Sequence, residues 1–372
     1  MEFVIFCHSM RSDWNHGNAH FLRGIVAELV ARGHGVRAFE PDGAWSAQNL
    51  VADHGAGALS SFRRAYPSIA PIVYDPDALD LREALAGADV VLAHEWNTPE
   101  LVRSIGRHRA REGRYTLLFH DTHHRAVTDA AAMASYDLSA YDAVLAFGDV
   151  IRKIYMDKGW AKRAFVWHEA ADTRVFRPRG PASMLGDLIW VGNWGDGERA
   201  AELEQFLVAP VKALGLRAHV YGVRYPPAAL STLQAAGIEY GGYLPNHAVP
   251  ELFSRFRVTI HVSRRAYASL LPGIPTIRPF EALACGIPLV SAPWDDKEGL
   301  FVPRHDFLVA RDGAEMARRL RMILGDPKLA LALSSSGLAT IEARHTCAHR
   351  VGELLAICRE LSQCRRAAEI CA

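Results

Sequence analysis

Apolar runs of strand length alternate with amphipathic runs of helix length along the chain, and this alternation limits the fold more than any other feature. In the first half we predict strands at 3–8, 36–39, 72–74, 90–94, 115–120, 143–147 and 164–167. In the second half we predict them at 188–191, 218–221, 258–261, 288–291 and 307–309. Strands that alternate with helices favour parallel sheets covered on both faces. The pattern therefore predicts an α/β protein with two doubly wound parallel sheets.

The break between the two series falls in residues 172–181, which are rich in proline and arginine as linkers are. The chain has 372 residues, which is enough for two domains of common size. We expect a first domain at 1–178, a second at 179–345 and a C-terminal helix within 346–372.

Charge and cysteine content narrow the class of protein. Lys and Arg number 42 against 41 acidic residues, a net charge of +1, so no overall field draws the chain to nucleic acid or to an anionic membrane. The six cysteines show neither a CxxC pair nor metal-ligand spacing. We expect them to be reduced and the protein to be cytoplasmic. Strand 3–8 follows the first residue directly, and no apolar run is long enough to cross a bilayer, so neither a signal peptide nor a transmembrane segment is predicted.

Residues 275–294, PTIRPFEALACGIPLVSAPW, combine a loop, a short helix and a buried strand. Thr276 is a favourable N-cap residue and Gly286 a favourable helix stop. The junction points backbone N–H groups and the positive end of the helix dipole at the space before the helix, which favours a phosphate. Glu281, one turn later, is predicted to accept hydrogen bonds from a pair of ligand hydroxyls, although a solvated helix glutamate is an equal alternative.

Polar side chains cluster at the predicted carboxyl ends of strands in the first half. His8, His94, Glu95, His120 and Asp121 all stand there. Ligands of open parallel sheets bind at this edge, so we expect these residues to converge on a binding site. For His94 and Glu95, a role in stabilising the loops is an equal alternative.

The second half resembles the donor-binding domain of GT-B glycosyltransferases of the family 4-like set, in the branch related to spore maturation glycosyltransferases. The resemblance is carried by IRPFEALACGIPLV, by ARDGAEMARRLRMILGDP downstream and by the pair His345-Thr346. It implies two Rossmann-like domains that face a central cleft, the first for the acceptor and the second for the donor. It also implies that the C-terminal helix packs back on the first domain.

The resemblance assigns donor-binding roles in the second half. Glu281 would hold the ribose diol. Arg199 would hold the diphosphate, and Asn193 stands where the family has an arginine. We expect Arg264 or Arg265 to supply the missing charge.

Gly273 stands where the family has the first glutamate of a pair, so backbone amides are expected to meet the sugar there. Ile274, Thr276 and Ile277 complete the predicted donor-binding set on this loop and the first helical turn.

In the first half, Gly17 resembles the glycine whose backbone approaches the diphosphate, since it has no side chain to block that approach. A plain turn glycine is the alternative. His120 matches the family histidine beside the reacting sugar, and Asp121 follows it in the predicted catalytic set with Arg199. Although His123 and His124 follow closely, no carboxylate or cysteine stands at a spacing that would complete a metal site.

The implied reaction is transfer of a sugar, of the hexosyltransferase type, from a nucleotide diphosphate-sugar to an acceptor of unknown nature. Retention of anomeric configuration, no metal and no further cofactor are expected. Two alternatives remain: a nucleotide-sugar epimerase on the same fold, and a non-catalytic nucleotide-sugar-binding protein. An NAD-dependent dehydrogenase is disfavoured because neither half has GxGxxG after its first strand.

Overall fold

A computed structural model of the protein describes residues 1–180, 182–195 and 197–370. The chain divides into two compact units. Unit 1 contains Met1–Glu169 and the chain from Cys347 onward, and unit 2 contains Ala170–Thr346. The sequence patterns instead place the borders after residues 178 and 345.

Unit 1 is built on a parallel sheet of seven described strands in the order β3-β2-β1-β4-β5-β6-β7. The strands are β1 Glu2–Phe6, β2 Gly35–Pro41, β3 Ile72–Tyr74, β4 Val90–His94, β5 Thr116–Asp121, β6 Ala143–Ala146 and β7 Ala164–Val166. Every residue of β4, β5 and β6 is buried, as expected for central strands covered by helices on both faces.

The helices of unit 1 flank this sheet. They are α1 Ala19–Ala31, α2 Trp45–His54, α3 Leu59–Ala65, α4 Leu81–Ala84, α5 Pro99–Arg111, α6 Arg125–Thr128, α7 Ala130–Ala134 and α8 Asp149–Asp157, with a 3₁₀ turn at Ala56–Ala58. Helix α5 begins where its sequence suggests, because the Thr98 side chain accepts a hydrogen bond from the Leu101 N–H and Pro99 occupies the first turn.

Helices α2 and α3 were not predicted from the sequence. In α2 only Ser46, Ala47 and Leu50 are buried, and in α3 only Phe62 is buried. So few apolar positions leave no periodic pattern from which a helix is recognised.

Unit 2 contains a second parallel sheet, of six described strands in the order β10-β9-β8-β11-β12-β13. The strands are β8 Gly186–Val191, β9 Ala218–Tyr221, β10 Ile238–Tyr240, β11 Phe256–His261, β12 Leu289–Ser291 and β13 Leu308–Val309. The sequence missed β10, a three-residue edge strand of which only Ile238 is buried.

The helices that cover the second sheet follow the predicted alternation. They are α9 Ala200–Leu203, α10 Ala209–Leu214, α11 Pro227–Ala235, α12 Val249–Phe253, α13 Arg265–Leu270, α14 Ile277–Ala284, α15 Gly313–Gly325 and α16 Pro327–Arg344. A π-helical segment, Glu204–Val208, joins α9 to α10, and a 3₁₀ turn lies at Asn246–Ala248. The prediction of two parallel α/β sheets is confirmed.

The last helix, α17 Cys347–Ile370, belongs to unit 1. The Arg350 carbonyl accepts a hydrogen bond from the Trp167 indole N–H at 2.8 Å, and Arg32, the C-cap residue of α1, donates to the Ala348 carbonyl at 2.7 Å. None of the described helices is both long enough and apolar enough to cross a membrane.

Helix α14 lies in the core of unit 2, with Phe280, Ala282, Leu283 and Ala284 almost fully buried. It ends as the sequence predicts, because Gly286 directly after the C-cap has a φ of 68°. Helix α16 packs closely on α14 at Gly337. A Cβ at Gly337 would lie 2.6 Å from Leu283 Cδ2 and 3.0 Å from the Asp306 carbonyl oxygen.

We therefore expect Gly337→Ala to lower the free energy of unfolding by about 1–3 kcal/mol, because the added methyl overpacks a filled core. Chemical denaturation measures the change. Gly325→Ala is the matched control, since an added Cβ there has no atom within 4 Å. Equal stability of the Gly337→Ala variant and the parent would contradict this packing.

Candidate functional site

The residue before α14 has an unusual backbone conformation. Thr276 has φ 63° and ψ 177°, a region that residues other than glycine rarely adopt and that costs on the order of 1–3 kcal/mol. Thr276 holds the predicted N-cap position, but its side chain makes no capping hydrogen bond. The predicted N-cap position is therefore confirmed, but Thr276 has these unusual dihedrals instead of the extended conformation typical of a residue whose side chain caps a helix. Strain of this kind is concentrated at functional sites.

The first turn of α14 offers donors to a ligand. The backbone N–H groups of Ile277 and Arg278 donate no hydrogen bond to any described residue. Two unsatisfied N–H groups and the positive end of the helix dipole suit an anion.

The loop that leads to α14 keeps its own amides engaged. The Gly273 N–H donates to the Asp295 carbonyl at 2.5 Å, and the Ile274 N–H donates to the Leu271 carbonyl at 3.3 Å. Glycine is favoured at position 273 because φ there is 97°, a value that other residues rarely adopt. A Cβ at this position would also lie 2.8 Å from the Glu298 carboxylate. In this structure, then, the Gly273 amide that we expected to meet a sugar is used within the protein.

Glu281 is fully buried, and its carboxylate forms an ion pair with Arg278 one turn earlier on α14. Asn246 Nδ2 donates to Glu281 Oε1 at 3.4 Å. Glu281 was predicted from the sequence as a site residue, whereas Arg278 was not. The spacing of three residues on a predicted helix was the signal that would have identified the pair.

Arg199 reaches across the carboxyl ends of β8 and β11. Its Nε donates to the Asn193 carbonyl at 2.9 Å, its Nη1 donates to the Val262 carbonyl at 3.1 Å, and its guanidinium lies 5.2 Å from the centre of the Trp190 ring. Among the described residues no carboxylate forms an ion pair with it. Burial and, to a smaller extent, the charges of Arg264 and Arg278 lower the pKa of Arg199 to about 10.

Three residues near Arg199 were predicted to take part in the site: Asn193, which holds Arg199 by a hydrogen bond, and the cations Arg264 and Arg265. Asn193 supports Arg199 through its carbonyl, while its Oδ1 accepts from the Val223 N–H at 2.9 Å. Arg265 is exposed and pairs with Glu202 at 2.9 Å, and Arg264 pairs with Glu198 at 3.3 Å. We expected Arg264 or Arg265 to supply the charge of the missing family arginine. Arg278, which was not predicted, is the most buried of the three cations.

His261 ends β11 beside this cluster. It was predicted as the end of a strand but not as a site residue. Its Nδ1 lies 2.9 Å from Ser291 Oγ on the neighbouring strand. Burial and, to a smaller extent, the charges of Arg199 and Arg278 lower the pKa of His261 to about 3. Its place at the carboxyl end of a parallel strand was the available signal.

In unit 1, His120 is fully buried at the end of β5. Its ring centroid lies 4.8 Å from that of Trp167 and 5.1 Å from that of His94, and neither ring nitrogen has a hydrogen-bond partner among the described residues. Burial lowers the pKa of His120 to about 3. The ring is therefore neutral near pH 7 and can orient a ligand by hydrogen bonding without carrying a charge.

Asp121 is engaged by its surroundings. It accepts from the Tyr155 hydroxyl at 2.8 Å and from the His123 N–H at 3.0 Å. It also hydrogen-bonds the buried Glu95, which pairs with Arg125 at 3.0 Å and accepts from the Thr122 N–H at 2.8 Å. Burial raises the pKa of both carboxyls. These contacts give Glu95 the loop-stabilising role that was one of its two alternatives.

Buried histidines continue the row from His120 toward β1. The ring centroids of His94 and His16 lie 6.4 Å apart, and those of His16 and His8 lie 5.3 Å apart. Gly17 is exposed in the same loop, and its carbonyl accepts from the His20 N–H at 3.4 Å. In the described part of the chain, no group of three or more His, Cys, Asp or Glu side chains is placed to hold a metal ion.

The chain resembles known proteins in its fold, and a stretch of less than half of its sequence matches a known family. Residues 199–356 match the protein family described as glycosyl transferase-like. That range contains Arg199, His261, Arg278 and Glu281. No curated protein matches the sequence.

Several solved structures share the fold across nearly the whole chain. Sucrose-phosphate synthase from Thermosynechococcus elongatus is 13% identical, with a TM-score of 0.66 over 98% of this chain and 100% of that one. Anabaena HepE, solved with UDP and glucose, is 16% identical, with a TM-score of 0.65 over 97% and 100%. The T4 phage enzyme BGT, solved with its UDP-glucose substrate, is 13% identical, with a TM-score of 0.59 over 97% and 99%. The expected fold, two parallel-sheet α/β domains of the GT-B type, is thereby confirmed.

The buried neutral His120 makes stability depend on pH. The unfolded ring binds a proton below about pH 6.5, whereas the folded ring does so only near pH 3, so stability is full above 6.5 and is lost as the pH falls through this window. The loss from this one ring approaches about 1.4 kcal/mol per pH unit. We expect His120→Gln to flatten the dependence of the free energy of unfolding on pH between 6.5 and 4.5.

Denaturant titrations at several pH values measure this slope. The exposed His54 in the same unit provides the matched variant, His54→Gln, which should keep the parent slope. An unchanged slope in His120→Gln would show that the ring is protonated in the folded protein.

Proposed function

We propose that the protein is a glycosyltransferase that moves a sugar from a nucleotide diphosphate-sugar to an acceptor. The observation that carries the proposal is the cluster at the carboxyl edge of the second sheet. There Arg199 has no carboxylate partner among the described residues, the first N–H groups of α14 are unsatisfied, and Glu281 holds a buried carboxylate. The match of residues 199–356 to a glycosyl transferase-like family supports the same assignment.

Each part of the cluster suits one part of such a donor. Arg199 and the N–H groups of Ile277 and Arg278 offer positive charge and hydrogen bonds to a diphosphate, where negative charge develops as the leaving group departs. Glu281 is an acceptor of hydrogen bonds from the ribose hydroxyls. Arg278 pairs with that carboxylate and keeps it from being an isolated buried charge.

The donor to test first is a UDP-sugar. Of the structures with the same fold, Anabaena HepE is a complex with UDP and glucose, and the T4 phage enzyme is a complex with its UDP-glucose substrate. A hexose such as glucose is therefore the first sugar to test, which corresponds to a hexosyltransferase.

The transfer that we propose retains configuration and needs no protein base. The bond between the anomeric carbon and the phosphate oxygen breaks, and the acceptor oxygen bonds to the same face of that carbon. The acceptor proton passes to the departing phosphate. His120 would orient the sugar or the acceptor as a neutral ring, consistent with a pKa far below 7.

Of the residues in the cluster, Arg199 should contribute most to the chemical step. We expect Arg199→Ala to lower turnover of UDP-glucose by about 10²–10³, since one electrostatic contact to a developing charge is lost. Release of UDP, with and without candidate acceptors, measures turnover. Arg318→Ala removes an exposed arginine of α15 and should behave as the parent does.

In a calorimetric titration Glu281→Gln should weaken UDP binding roughly ten- to a hundredfold, because a charged acceptor is replaced by a neutral one of the same size. An isomerised nucleotide sugar formed without acceptor would support the epimerase instead. A parent protein that binds UDP-glucose but never releases UDP would support the non-catalytic alternative.

The proposed mechanism also predicts independence from divalent metal. Arginine and backbone N–H groups serve the diphosphate, so prior treatment with EDTA should leave the rate of UDP release within about twofold of the untreated rate. The comparison is made with and without added Mg²⁺ after the chelator is removed. A rate that collapses and is restored by Mg²⁺ would contradict this part of the proposal.

A further inference from the structure

His261 lies between the two parts of the proposed donor site, Arg199 on one side and helix α14 on the other. It is the last residue of β11, and the carbonyl of the next residue, Val262, is held by Arg199 Nη1 at 3.1 Å. Strand β11 also packs against α14, which carries Arg278 and Glu281. The side chain is thus placed beside the cluster, although nothing in the proposed mechanism uses it.

The hydrogen bonds around Ser291 determine which nitrogen of His261 carries the proton. Ser291 Oγ lies 2.7 Å from the Ala292 carbonyl, to which it donates its only proton. The same oxygen therefore accepts at 2.9 Å from His261 Nδ1, which must bear the hydrogen. Consequently Nε2 carries a lone pair and is a hydrogen-bond acceptor.

This acceptor has no partner among the described residues, and the side chain that carries it is only 2% exposed. Buried polar atoms are nearly always hydrogen-bonded, so an orphan of this kind calls for an explanation. Protonation of the ring does not supply one, because the guanidinium charges of Arg199 and Arg278 oppose a third positive charge. What satisfies Nε2 must be a group that donates a hydrogen bond.

We propose that His261 Nε2 accepts a hydrogen bond from a hydroxyl group of the bound nucleotide-sugar. This inference rests on the proposed function and extends it to a residue that binds the donor's polyol part. At neutral pH a diphosphate diester offers no donor to an acceptor nitrogen, whereas ribose and hexose both offer hydroxyls. His261 would then hold the ligand in register between the cation Arg199 and the carboxylate Glu281.

Two substitutions separate the ligand contact from the structural one. The side-chain oxygen of His261→Gln reaches the position of Nε2 and keeps an acceptor there. The shorter amide of His261→Asn reaches only the position of Nδ1, so it keeps the bond to Ser291 and loses the acceptor. Melting temperatures and circular dichroism serve as the control that both variants are folded.

Calorimetric titration with UDP, UDP-glucose and inorganic pyrophosphate tests the proposal on the full chain. We expect His261→Asn to weaken UDP-glucose binding about tenfold and His261→Gln to remain within about threefold of the parent. Pyrophosphate binding should be the same in all three proteins. Equal losses for UDP and UDP-glucose would place the contact on the nucleotide, and a loss for UDP-glucose alone would place it on a hexose hydroxyl.

The proposal is overturned if His261→Asn binds UDP-glucose as the parent does. It is also overturned if pyrophosphate binding falls by the same factor, since the ring would then serve the anion or the fold. Failure of the proposed function has a different signature: the parent itself would bind neither UDP nor UDP-glucose, and the inference would fall with it.

Discussion

The ion pair of Glu281 and Arg278 is the contact on which the second unit's site depends. Both groups stand on one turn of α14, and the carboxylate has no exposed surface. Such a pair gives little net stability, but either charge left alone in the core is strongly unfavourable. Helix α14 must therefore keep this turn intact. The fold accommodates the strained backbone of Thr276 before this turn and the close contact of Gly337 with α14, and both leave the turn intact.

The sequence predicted the sheets well because their central strands are buried on both faces. Strands β4, β5 and β6 are continuous apolar runs, and such runs are recognisable without knowledge of their neighbours. Helix α2 and strand β10 were missed for the opposite reason. Both lie at the periphery with few buried positions, so tertiary packing determines them more than local pattern does.

The site was predictable in its residues but not in its pairings. Glu281 and Arg199 were recognised by motif and by the loops that carry them. What the motif does not contain is the partner of each charge, since that depends on distances between separate segments. Arg265 has Glu202 beside it, Arg278 has Glu281, and Arg199 has only carbonyls among the described residues. These pairings decide which cation is left for an anionic ligand.

Unit 2 interrupts unit 1 in the chain, because the last helix of unit 1 begins only at Cys347. During synthesis the first sheet emerges early, yet the surface of α1 that α17 covers stays open until α17 itself is made. Unit 2, by contrast, is continuous and has its whole sequence available before α17 exists. Unit 1 is thus the first to be synthesised, but unit 2 is expected to complete its fold first. The unit that starts the chain is the last to close its core.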